Sequence, residues 1–180
     1  MIHAYYSGIT PMKNTINDQE ALRADLIDIF EEVKQTVWNV DKRSRAGLML
    51  GLQDLDTTTH GFIGGYFPTG SNIIIVNTAP IQRLLKTKRS LLRPYLFHVL
   101  LHEYIHACGF LDEDTVRQKT YEICKHQFGE DHPITQLSTD IQPFLPHLLP
   151  PTHTKKPANR PHTIELVPGF DTSNTTPYIS

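Results

Sequence analysis

Two histidines four residues apart, His102 and His106, lie inside an apolar run that starts near Leu96 and stops at Gly109. On an α-helix this spacing puts both imidazoles on one face, one turn apart. Two nitrogens so placed can reach a single metal ion at about 2.0–2.1 Å each, which suits zinc. Glu103 stands one residue off that line, close enough to touch a water on the ion without occupying a coordination site. Ten histidines in 180 residues make the spacing alone a weak signal. The context strengthens it: Leu96, Val99, Leu100 and Leu101 predict a buried helix, and Gly109 can end that helix in the left-handed conformation.

The length fits one domain with a possible appendage, and is enough for a real core. Hydrophobic residues make up 39% and charged residues 20% of the chain, ordinary for a soluble globular chain, and the helices and strands read below make the expected class α+β. A net charge of −2 gives no electrostatic reason to expect nucleic acid or an anionic membrane as partner. No apolar run is long enough to span a bilayer. Met1 to Lys13 lacks the basic start and apolar core of a secretory signal. Two cysteines, Cys108 and Cys124, are no disulfide framework; buried thiols in a reducing, cytoplasmic setting are expected.

Along the chain, Asn17 with Glu20 resembles a capping box. Leu22, Leu26, Ile29, Phe30, Val33 and Val37 then recur at helical spacing, predicting an amphipathic helix to Trp38 or Asn39. Leu48, Leu50 and Leu52 alternate as in a short strand. Gly61 to Phe67 and Asn72 to Asn77 read as a hairpin around Pro68–Ser71, closed by Pro80. A short helical turn is expected over Ile81–Leu85. The histidine helix is expected from a cap at Ser90 to about Cys108. A second helix, Glu113 to Phe128, is capped by Asp112, and a third is limited to Ile134–Gln142 by Pro143. Prolines crowd the chain after Leu149. The organisation expected is a domain over 1–149 and an extended or disordered tail over 150–180 with one possible strand, Thr163–Val167.

His102, Glu103, His106 and Gly109, within His-Glu-Tyr-Ile-His-Ala-Cys-Gly-Phe-Leu-Asp-Glu, resemble the H-E-x-x-H helix of the zincin metallopeptidases. Small single-domain archaeal gluzincin- and metzincin-like proteases are the nearest in plan. The resemblance implies Zn2+, hydrolysis of peptide bonds in a peptide or protein substrate, and Glu103 as general base. It also implies a cleft between the motif helix and a strand ahead of it, for which Asn72–Asn77 is the candidate.

Catalytic zinc has three protein ligands as a rule, so one more is needed. Metzincin-like spacing after Gly109 favours Asp112, where that group commonly has His. Glu113 serves if the turn is one residue longer. Glu122, sixteen residues after His106, matches the gluzincin arrangement, and His126 is a fourth option. Tyr66, Tyr104 and Tyr121 are candidate oxyanion donors, and His98 is a candidate supporting group one turn before His102. Two other readings stay open. One is a peptide-binding module that does not cut. The other is a latent enzyme whose tail offers Glu165, Asp171, His162 or the terminal carboxylate to the metal.

Overall fold

A computed structural model describes residues 13–55, 62–149 and 163–172. Among the described residues it is an α+β fold of six helices and a small mixed sheet of four strands, with α3 against the sheet. Helix α1 (Lys13–Asp41) lays Leu26, Ile29, Phe30, Val33 and Val37 into the core, the stripe its sequence predicts. It begins earlier than the capping-box pattern suggests, so Asn17 lies inside the helix. No glycine or proline in Lys13–Ile16 opposes that extension. Lys42, at φ 53°, stops α1, its N–H donating to the Trp38 carbonyl.

Strand β1 (Met49–Gln53) pairs parallel with β3 (Ile73–Asn77), and β2 (Gly65–Tyr66) pairs antiparallel with β3. The predicted hairpin is present, with Gly65 opposite Val76 and Tyr66 opposite Ile75. The sheet order is β2-β3-β1-β4, however, so β3 is internal and the strand at the edge is β2. This corrects the expectation that Asn72–Asn77 borders the cleft. Its unbroken β-branched run suits a strand buried between neighbours, with Ile74, Ile75 and Val76 inaccessible.

Pro80 does not merely close β3. It sits in the first turn of α2 (Thr78–Thr87), a full helix where a short turn is expected. Asn77 starts that helix by accepting from the Ala79 N–H at 3.1 Å. The same buried side chain donates to the Ile63 carbonyl at 2.8 Å and makes two bonds, each 3.2 Å, with the backbone of Leu55. One asparagine thereby ties Leu55 and Ile63 to the start of α2.

Helix α3 (Leu92–Ala107) is apolar nearly all round and runs through the middle of the molecule, with Tyr95, Leu96, Phe97, Leu100, Leu101 and Tyr104 buried. A 3₁₀ turn, Arg89–Leu91, precedes it, and Ser90 lies in that turn and supplies no cap. Helix α4 (Glu113–Phe128) has the predicted bounds, with Asp112 accepting from the Thr115 N–H at 2.8 Å. Helix α5 (Pro133–Thr139) and the one-turn α6 (Leu145–Leu148) cover one end of α3 and α2.

Residues 163–172, which composition places in an extended tail, return to the domain. Strand β4 (Glu165–Leu166) pairs antiparallel with β1, and Val167 and Phe170 enter the core. Phe170 stacks on Phe30 of α1 at 4.1 Å between ring centroids. Asp171, its side chain fully buried, accepts from Lys34 Nζ at 2.6 Å and from the Leu48 N–H at 2.9 Å. The rest of the expected tail lies outside the described residues. No helix among the described residues is long and apolar enough to cross a membrane.

Candidate metal centre

The site is built at the C-terminal end of α3. His102 and His106 face one way, with ring centroids 5.0 Å apart. Gly109 follows at φ 103°, a conformation that costs a side-chain-bearing residue 1–2 kcal/mol or so. Nothing lies within 4 Å of a Cβ placed there, so the backbone angle alone calls for glycine. The reversal lets the Phe110 carbonyl accept from His106 Nδ1 at 2.8 Å. With Nδ1 carrying the proton, the Nε2 lone pair of His106 is left facing the cluster.

The same reversal delivers the first residue of α4 to the histidines. Glu113 places one carboxylate oxygen 3.2 Å from His102 Nε2 and the other 3.1 Å from His106 Nε2. Ligand atoms of His102, His106 and Glu113 all lie within 4.8 Å of one another, a group able to hold a metal ion. Tetrahedral bonds of about 2.0–2.1 Å put neighbouring ligand atoms roughly 3.3 Å apart, so the donor set and its spacing fit zinc.

The other acids are engaged elsewhere. Asp112, first choice by spacing, turns away to cap α4, bonding both the N–H and the hydroxyl of Thr115, the latter at 2.6 Å. An aspartate committed to a cap has its carboxylate directed along its own helix, so the neighbouring glutamate is the one that reaches the histidines. Glu122 lies two and a half turns along α4, accepting from Gln118 Nε2 at 2.8 Å, and His126 is exposed beyond it. Neither belongs to the cluster. Of the tail residues, Asp171 is held by Lys34 and Leu48, and Glu165 pairs with Arg23 on the surface. His162 and the C-terminus lie outside the described residues.

Glu103 is only 5% exposed, under the hairpin. Burial pushes its carboxyl up to about 8, helped by the negative charge of Glu113 and opposed by the nearby Phe67 backbone N–H. Strand β2 lies tight on α3. A Cβ on Gly65 would stand 2.7 Å from the Ile75 carbonyl oxygen and 2.9 Å from Val99 Cγ1, closer than packed atoms approach.

A residue not singled out from sequence holds the arrangement together. The Arg45 guanidinium donates to the Ala107 carbonyl at 2.8 Å and the Ser71 carbonyl at 2.7 Å, and lies 5.1 Å from the centre of the Phe67 ring. It joins the end of α3 to the hairpin turn. One cation of the charged connection Asp41–Arg45 gives no sequence signal for this role.

Tyr66 lines the cleft, its hydroxyl donating to Gln53 at 3.2 Å. The Tyr104 hydroxyl is occupied by the backbone of Arg45, and Tyr121 lies on α4 beside Lys125. Tyr95, which was not a candidate, is buried with its hydroxyl unbonded among the described residues. Burial, with Glu103 nearby, raises its pKa. His98 makes a 3.1 Å bond through Nδ1 to Ser138 Oγ. Burial, with the neighbouring His102, lowers its pKa to about 3. Burial also lowers that of His102, against the pull of the Glu113 carboxylate.

Two adjoining cavities of about 350 and 380 Å³ open on either side of His98 and His102. The first runs under β2 and contains Glu103, His106 and Glu113. No family model, curated protein or solved structure matches this chain.

Proposed function

We propose that the chain is a small zinc-dependent peptidase of the zincin type, with His102, His106 and Glu113 as metal ligands and Glu103 as general base. The observation that carries this reading is the convergence of two imidazoles and one carboxylate, at 3.1–3.2 Å, beside a buried glutamate in a cleft.

Bound at these ligands, zinc supplies a water acidic enough to ionise near pH 7 and a positive charge against a carbonyl oxygen. Each protein group has a matching task. Glu103, buried in the cleft beside the cluster, is the carboxylate placed to take a proton and return it. The edge of β2 borders the cleft and offers backbone groups to an extended peptide by strand addition. Free Cys108 and Cys124 are compatible with a reducing, cytoplasmic setting.

The test is hydrolysis of an unstructured peptide by the full chain after chelation and again after zinc is restored. Activity should vanish and return. Glu103→Gln should bind one zinc and lose about 10²–10⁴-fold in turnover. Hydrolysis that survives chelation, or full activity in that variant, would refute the assignment. The reading of a tail-blocked enzyme draws no support from Glu165 or Asp171, both engaged away from the cluster.

A further inference from the structure

The second cavity, about 380 Å³, lies past His102 and is walled by Phe62, Leu137 and Ile141, with Ser138 and Asp140 on the α5 side. Phe62, His98, His102 and Ile141 line both this cavity and the cluster's own, and of the two histidines His98 is the one outside the cluster. Its hydrogen bonding fixes which nitrogen carries the proton. Ser138 has a single hydroxyl proton and three acceptors within reach: the Ile134 carbonyl at 2.9 Å, His98 Nδ1 at 3.1 Å and Cys124 Sγ at 3.2 Å. The carbonyl is the shortest contact and lies one turn back on the same helix, where a serine hydroxyl bonds by preference, so the proton goes there. Ser138 Oγ then accepts from His98 Nδ1 at 3.1 Å. That leaves Nε2 of His98 as an unprotonated acceptor. It makes no hydrogen bond among the described residues, and it is not one of their sealed, unbonded polar atoms. Arg117 and Asp140, of opposite charge and both exposed, stand at the rim and leave it with no net sign.

Taking the cleft as the peptidase site proposed above, we infer that this cavity is a specificity subsite. It receives an uncharged side chain with a hydrogen-bond donor at its tip, such as the carboxamide of Gln, and the donor bonds His98 Nε2. The apolar walls take the methylenes. A thioether of the same length fills the space but leaves the imidazole acceptor without a partner. With Arg117 and Asp140 in balance, the rim holds no net charge to draw in an ionised side chain of either sign.

The experiment uses the zinc-loaded full chain and pairs of unstructured peptides that differ only by Gln or Met on one side of the scissile bond. Wild type should prefer Gln about 10–100-fold in kcat/KM. His98→Leu should erase the preference. Ser138→Ala, which frees Nδ1 and permits the other tautomer, should weaken it and move the ¹⁵N resonances of the His98 ring. The same peptides are titrated onto Glu103→Gln protein, following His98 Nε2 by NMR. Tighter binding of the Gln peptide with a shifted Nε2, but no cleavage of any peptide by wild type, keeps the subsite and overturns the peptidase reading. Cleavage without preference, or preference retained in His98→Leu, overturns the subsite alone. Neither binding nor cleavage overturns both.

Discussion

Exchange of Glu113 for Gln tests the third ligand against its neighbour. Structural zinc sites with four ligands bind with about 10–16 kcal/mol, so each ligand contributes roughly 3–4 kcal/mol. Losing one carboxylate ligand should weaken zinc binding by about 10²–10³-fold. The amide keeps the size of the side chain and removes an exposed ion pair with Arg117, 3.2 Å long, which contributes little to stability. Folding should therefore survive. Asp112→Ala does the opposite: it removes the α4 cap and lowers the melting temperature, while the carboxylate facing the histidines stays in place. Competition against a chelator of known zinc affinity, with urea unfolding of the metal-free proteins alongside, separates the two effects. Equal zinc affinity in Glu113→Gln and wild type, or a hundredfold loss in Asp112→Ala, would refute the reasoning.

Three further outcomes are expected. Asp171→Ala takes one of two carboxylates from Lys34, which keeps Glu31 at 2.8 Å, and the acceptor from the Leu48 N–H; it should cost about 2–3 kcal/mol in urea unfolding, with zinc affinity of the folded protein retained. Arg45→Ala should cost about 2–4 kcal/mol, through two lost charge-assisted bonds, and should lower turnover more than zinc affinity because the hairpin over Glu103 loosens. Metal-free protein should lose stability as pH rises from 6.5 to 8. Glu103, raised from 4.5 to about 8, favours folding when protonated, a contribution lost as pH climbs through that range. Between 4.5 and 6.5 His98, lowered from 6.5 to about 3, gains stability with pH and offsets the loss. Above 6.5 only the Glu103 slope remains, about 2 kcal/mol by pH 8. Urea titrations in chelator should show the fall in wild type and its absence in Glu103→Gln.

Much of this was written locally in the sequence. The stripe of α1, the hairpin, and α4 with its Asp112 cap follow from periodicity and capping chemistry, which act over a few residues. So does the His102–Glu103–His106 trio, because one helix carries all three. The choice between Asp112 and Glu113 was not legible. It depends on how far the chain travels after Gly109, and on the cap competing for the nearer carboxylate. The edge position of β2 was hidden for a different reason: strand order is decided by pairing between distant segments, here β1 with β3 and β4. Residues 163–172 look like tail by composition, yet Phe170 and Asp171 find partners in α1 and at Leu48. Those are contacts that no local pattern announces. Because that segment packs on the core, trimming the chain at Pro150 tests stability before it tests autoinhibition.

Anomalous X-ray scattering at the zinc edge, from crystals of the full chain grown with one equivalent of zinc, addresses the centre of the account. One peak is predicted about 2.0–2.2 Å from His102 Nε2, His106 Nε2 and a Glu113 oxygen. A map with no peak there, or with the ion on Asp112 or Glu122, would contradict it.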